Sequence, residues 1–307
     1  MNQPAASAGA AGTAFVTPMP TDVRERVLRA ASTIGALGGG ATAAPELLGT
    51  LCSAATTARD ISRLLGREPA LYARVLRIAN SSFYGQSRSV ASIEKAIVLL
   101  GLDAIRGIVA AACLDRFGPR ASSSAGINST HIVAHSLATA VAADAISARL
   151  SPDGANDAFL AGLLHNLGVF VQLRLGADQM GQVARVCAEP SSMSIREIER
   201  SAGIVTHEEC FAVLADAWHL PAPIALAGAH HHEPGEVLLG DRTVVAVVGF
   251  AARLAISAGI PSALDPVLAS SPSEPPDPFH VDPDVLEQIR ASLPERVRAL
   301  GGVLPAA

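Results

Sequence analysis

Histidine is the residue of this sequence whose type and spacing could do chemistry. Nine are present, and eight of them fall between His131 and His232. His131 and His135 stand four apart and so share a face if that segment is helical. His165 and Asn166 follow a strongly apolar stretch, His207 opens a predicted helix, and His230, His231 and His232 form a run closed by Glu233. Neutral imidazoles converging from several helices make a site for zinc, iron or manganese. A hydrolytic version also needs carboxylates, which balance the metal charge, bridge two ions and hold the attacking water. A plainer reading stands beside this one. A histidine on an apolar helix is also a good buried, hydrogen-bonded core residue. The triplet equally suits a polar turn after a helix end, where imidazole meets the negative end of the dipole. Spacing leaves both readings open.

The elements that must position these residues are helical. Half of the 307 residues are apolar and 17% are charged, enough for a sizeable core. Aromatics make up only 4%, while Ala and Leu abound, which favours close helix packing over a β-sandwich. Leu71, Val75 and Ile78 recur at helical spacing, as do Ile93, Ile97 and Leu100 before a Gly101 stop, and Ile105, Ile108, Val109 and Ala112 after it. A long helix is expected near Asn128–Leu150, another near Asp153–Leu173, and further ones near 176–188, 194–203, 206–218, 221–232 and 240–258. Asp282 reads as an N-cap with Pro283 at the first helical position, opening a last helix to about Leu300. No strand alternation is long enough to count, so the expected class is all-α.

Residues 1–20 are mostly Ala, Gly, Ser, Thr and Pro without periodicity, which reads as a disordered leader. The Ser/Gly-rich stretch Gly118–Gly126 is the best boundary, dividing a helical half at 21–118 from a helical core at 127–260. A Pro-rich linker and the last helix fill 270–307. The four cysteines, Cys52, Cys113, Cys187 and Cys210, form no C-x-x-C pair, so reduced buried thiols in a cytoplasmic protein are expected. No signal-peptide pattern opens the chain, and Asp103 and Arg106 interrupt its longest apolar run, so no membrane association is expected. The net charge is -5, Lys95 is the only lysine, and basic residues do not cluster, which disfavours a nucleic-acid partner.

Several segments, in order from about Leu47 to Ala258, resemble the HDOD family, a branch of the HD and HD-GYP phosphohydrolase superfamily. They are Arg67–Gly85 (REPALYARVLRIANSSFYG), Ser89–Val109 (SVASIEKAIVLLGLDAIRGIV), Ala134–Ala143, Ala158–Gly168 (AFLAGLLHNLG) and Trp218–Pro234 (WHLPAPIALAGAHHHEP). Read as residues alone, the first of these is a helix with Arg67, Arg74 and Arg77 off its apolar face and Asn80 ending it.

The resemblance implies an HD-like helical bundle preceded by an N-terminal helical subdomain. It carries the metal ligands of catalytic relatives onto His135, His165, His207, His231 and His232. It also marks three departures. The aspartate of the His-Asp pair is Asn166, whose amide cannot bridge metals. Val169 stands where HD-GYP relatives place a phosphate-contacting lysine, and Ala252 where a late aspartate is expected. No GYP motif follows the triplet, which continues EPGEVLLG. Charge balance at a metal and neutralisation of a substrate phosphate both suffer. The expectation is therefore a vestigial site stripped of its carboxylates and no catalytic residue. No cofactor is expected beyond a transition metal at less than full occupancy. The implied function is a stand-alone bacterial signalling regulator that meets a signalling protein in trans through its N-terminal half. The alternatives are an atypical metal-dependent phosphodiesterase, or a sensor that holds a cyclic dinucleotide or other nucleotide without cleaving it.

Overall fold

The computed structural model describes residues 19–36, 44–53, 55–80, 90–114, 127–150, 155–237, 242–265 and 277–300. Among these there are helices and no strand, as the composition predicts. The first half holds α1 (Thr21–Ala36), α2 (Ala44–Cys52), α3 (Ala58–Gly66), α4 (Pro69–Ala79), α5 (Ile93–Leu100) and α6 (Leu102–Leu114). The second holds α7 (Ser129–Leu150), α8 (Ala155–Leu164), α9 (Leu167–Leu175), α10 (Ala177–Cys187), α11 (Ile195–Ser201), α12 (His207–Ala217), α13 (Ala222–His230) and α14 (Arg242–Ser257). The last helix is α15 (Pro283–Ala299). The expected leader lies almost wholly outside the described residues, as do the boundary at Gly118–Gly126 and most of the Pro-rich stretch.

The centre of the second half is α7, which packs against α8, α14 and α15. It is buried almost all round from Ile132 to Ala143, the mark of a core helix. By length and composition Ser129–Leu150 and Asp157–Leu175 could each cross a membrane, yet most of each lies inside the bundle. The second of these stretches is not one helix. The sequence predicts a single helix near Asp153–Leu173, whereas the chain turns at His165–Asn166 between α8 and α9. Hydrophobic periodicity cannot see that break, because both sides of it are buried.

Local chemistry sets the helix ends. Gly101 closes α5 at φ 85°, a conformation that suits glycine. Asn80 ends α4, and its carboxamide donates to the Leu76 and Val90 carbonyls and accepts from Val90 N–H, holding Val90 against the end of that helix. Asp282 caps α15 by accepting from Asp284 N–H, with Pro283 at the first position. In the N-terminal half the buried Arg106 of α6 donates from Nε to Leu51 O (2.7 Å) and from its terminal nitrogens to Ser53 O and Asp103, pinning the end of α2.

The two halves are not separate along the chain. Helix α1, expected in the first half, packs on α9 and α12 of the second, where Arg24 pairs with Asp216 at 2.6 Å. Helix α6 meets α8, where Gly107 leaves the space that the Phe159 ring approaches. All four cysteines are buried free thiols. Burial pushes Cys52 and Cys187 up to about 12, so both stay protonated.

Candidate functional site

The five predicted histidines do converge. His135 comes from the middle of α7, His165 from the turn after α8, His207 from the first turn of α12, and His231 and His232 from the turn after α13. Capping boxes fix the elements that carry two of the key groups. Ser194 and Glu197 start α11, which bears Glu199, and Thr206 and Glu209 start α12 at His207. Each such cap contributes about 1 kcal/mol and sets where the first turn begins.

Gly168 then lets the parts meet. A Cβ there would lie 1.9 Å from the His207 carbonyl oxygen, so only glycine allows α9 to pass the start of α12 this closely. Gly249 does the same between α14 and the His231 carbonyl, at 2.3 Å.

The histidines fall into two groups. His207 Nε2 lies 3.2 Å from His232 Nε2 and 3.4 Å from His231 Nε2. An ion held tetrahedrally by imidazoles at 2.0–2.1 Å keeps its nitrogens about 3.3–3.4 Å apart, so these three fit one transition-metal ion. No carboxylate oxygen joins that trio among the described residues. His135 and His165 stand beside it, with ring centroids 5.5 Å apart and His165 4.7 Å from His231. Their Nδ1 atoms are engaged by the carbonyls of Ile260 (2.9 Å) and Gly162 (2.6 Å). His131 shares the α7 helix but does not line the cavity.

Charge is supplied from behind. Glu199, 0% exposed, accepts from His207 Nδ1–H at 2.8 Å and from the His207 backbone N–H. This fixes the tautomer and turns the Nε2 lone pair toward His231 and His232. Burial opposes a charge on His207, yet the charge and hydrogen bond of Glu199, joined by the charges of Glu208 and Asp265, together raise the imidazole above its ordinary value. Burial holds His165 and His231 well below theirs, reinforced by neighbouring imidazoles. Glu208 accepts from His232 N–H at 3.1 Å and lies 3.6 Å from His231 Nδ1. Burial raises it to about 7 against the pull of His207 and Arg196. Arg196 bridges Glu208 (3.2 Å) and Glu233 (3.1 Å).

These groups surround a cavity of about 270 Å³. Asn166, Val169 and Ala252 line it, so all three departures from the catalytic pattern lie at one site. The expectation that the site is stripped of carboxylates needs correction. Asp265 lines the cavity 3.7 Å from His135 Nδ1, and Glu199 and Glu208 back the histidines. Sequence reasoning missed these three together with Arg196 and Arg253. Glu199 carried a signal, a carboxylate beside Ile195 and Ile198 on a short helix; Asp265 follows α14 in an irregular segment and carried none.

The HDOD domain family matches residues 41–234. This chain belongs to that family. An HDOD domain protein of unknown function from Geobacter sulfurreducens is 25% identical and superposes with a TM-score of 0.61 over 94% of this chain and 86% of its own. A protein provisionally named for signal transduction, from Marinobacter aquaeolei, is 21% identical, with a TM-score of 0.66 over 91% of this chain and 64% of that one. A Shewanella amazonensis protein provisionally named a phosphohydrolase is 20% identical with a TM-score of 0.62, covering 90% and 94%. An uncharacterised Treponema pallidum protein is 24% identical over 197 residues, 62% of this chain. The match spans 37% of that relative's own length.

Proposed function

We propose that this HDOD protein is a bacterial signalling regulator that works by binding a partner protein and does not hydrolyse phosphoesters. One observation carries the reading. Three histidines fit a single ion, while the neighbouring positions that would bridge a second ion or neutralise a phosphate are Asn166, Val169 and Ala252. A bound ion would supply Lewis acidity, and His207, His231 and His232 would hold it. A hydrolytic pair of ions needs a bridging anionic oxygen, which the Asn166 amide cannot provide. Asp265 stands 3.7 Å from His135 Nδ1, Glu199 is engaged by His207, and Glu208 by the His232 backbone N–H and Arg196. The family membership and the name given to the Marinobacter aquaeolei relative support a role in signalling.

The test has two arms. Affinity capture from the native cell is expected to retrieve a signalling protein equally well with wild type and with His165→Ala. Purified protein is expected to contain less than one transition-metal ion per chain by inductively coupled plasma mass spectrometry. Full occupancy by iron or manganese, with no partner captured, would contradict the reading and favour the metal-dependent phosphodiesterase.

A further inference from the structure

The replacement of an aspartate by Asn166 has a second chemical consequence besides the loss of a metal ligand. Asn166 is 7% exposed and lines the cavity, and it opens α9 without any side-chain hydrogen bond to that helix. An aspartate there would repel an anion, whereas a carboxamide NH2 donates to one. Gly249, Ala252, Arg253 and Ile256, spaced along one face of α14, line the same cavity. Arg253 is distinctive among them. Its Nε is buried without a hydrogen-bond acceptor, its guanidinium stands over the Phe250 ring at 5.9 Å, and no carboxylate pairs with it among the described residues. A guanidinium beside a cavity with a donor unmet is set up for an anionic acceptor that offers it two oxygens, as a phosphate or a carboxylate does.

The acidic groups nearby do not fill that role. Glu233 is engaged by Arg196, and Asp265 accepts from Ser262 N–H at 2.5 Å. We propose that the cavity takes a small phosphate-type oxyanion or a ligand bearing one, held between the Asn166 carboxamide and the Arg253 guanidinium. The site has thereby exchanged a cation-binding carboxylate for an anion-binding amide, with its cation supplied from α14 and not from position 169. The inference rests on the cavity being a binding site and not a hydrolytic centre.

Calorimetric titration of the full chain with inorganic phosphate and with pyrophosphate tests it. Ionic strength is held constant and the protein is first treated with EDTA, so that a bound metal cannot capture the anion. Wild type is expected to bind at least one of the two probes. Arg253→Gln and Asn166→Asp are each expected to weaken that binding tenfold or more, and Arg253→Lys to weaken it less than Arg253→Gln. Circular dichroism checks that the variants are folded. Absence of binding by wild type to either probe, or equal affinity in folded Arg253→Gln and Asn166→Asp, would overturn the anion site while leaving the regulatory reading intact. Turnover by wild type would instead overturn the regulatory reading.

Discussion

Glu199 and His207 meet at 2.8 Å with neither side chain more than 3% exposed, which makes a carboxylate the positioning partner of the central imidazole. The pair explains why His207 keeps its Nε2 toward His231 and His232, and why it holds a proton more readily than His165, His231 or His232.

Glu199→Ala leaves a buried imidazole and a backbone N–H without their acceptor. Gln172 Nε2, which also donates to Glu199, keeps a second acceptor in the Val205 carbonyl. The loss is expected to be about 3 kcal/mol, in the range for breaking a buried ion pair or charged hydrogen bond. Urea unfolding gives the value, and the 15N imidazole shifts of His207 should move away from the Nδ1–H form.

Gly168→Ala should be strongly destabilising, because the new methyl meets the backbone of His207 and not a movable side chain. A loss of about 3 kcal/mol or more is expected from overpacking at a rigid contact. Gly49→Ala is the control. Nothing lies within 4 Å of its Cβ position in α2, so the helix gains about 1 kcal/mol. Parallel denaturant melts of the two variants check the contrast, and equal effects would refute the close approach of α9 to α12.

Arg106→Met removes the donors that satisfy Leu51 O and Ser53 O. Ser53 O keeps its bond from Thr56 N–H, so the loss centres on the Leu51 carbonyl and should cost about 1–3 kcal/mol. Arg106→Lys is expected to recover little, since an ammonium cannot reproduce the fork. Thermal melts of the two variants decide it.

The depressed His165 gives a pH test. Its ordinary value is 6.5 and its folded value lies well below. Below about pH 6.5 the unfolded chain takes up a proton that the folded chain refuses, so acid erodes stability by up to about 1.4 kcal/mol per pH unit until the folded value is reached. His165→Gln lacks this cost. The stability of wild type relative to the variant should therefore fall on going from pH 7.5 to pH 5.5, measured by urea melts at both values.

Much of this molecule can be read from its residues. The all-α class follows from its Ala/Leu-rich helical periodicity, and Gly101, Asn80 and Asp282 end or start helices where their chemistry demands. The histidines were also legible, His135, His165, His231 and His232 because each is embedded in a long motif and His207 from its place at the start of a helix. What could not be read was what lies across from what. The turn at His165–Asn166 is hidden between two apolar stretches that are both buried. The docking of α1 on α9 and α12 leaves no periodic trace, since an amphipathic helix does not name its partner. Asp265 and Arg253 reach the cavity only because α14 and the segment after it fold back over the histidines. No spacing or residue type marked either of them as part of the site.

The central claim is that the site binds without hydrolysing, and a turnover assay tests it most directly. Cyclic dinucleotides and a generic phosphodiester are incubated with wild type and His165→Ala, each with Mn2+ or Fe2+ added. No turnover above that of the variant is expected for any substrate. Metal-dependent turnover by wild type that disappears in His165→Ala would contradict the account.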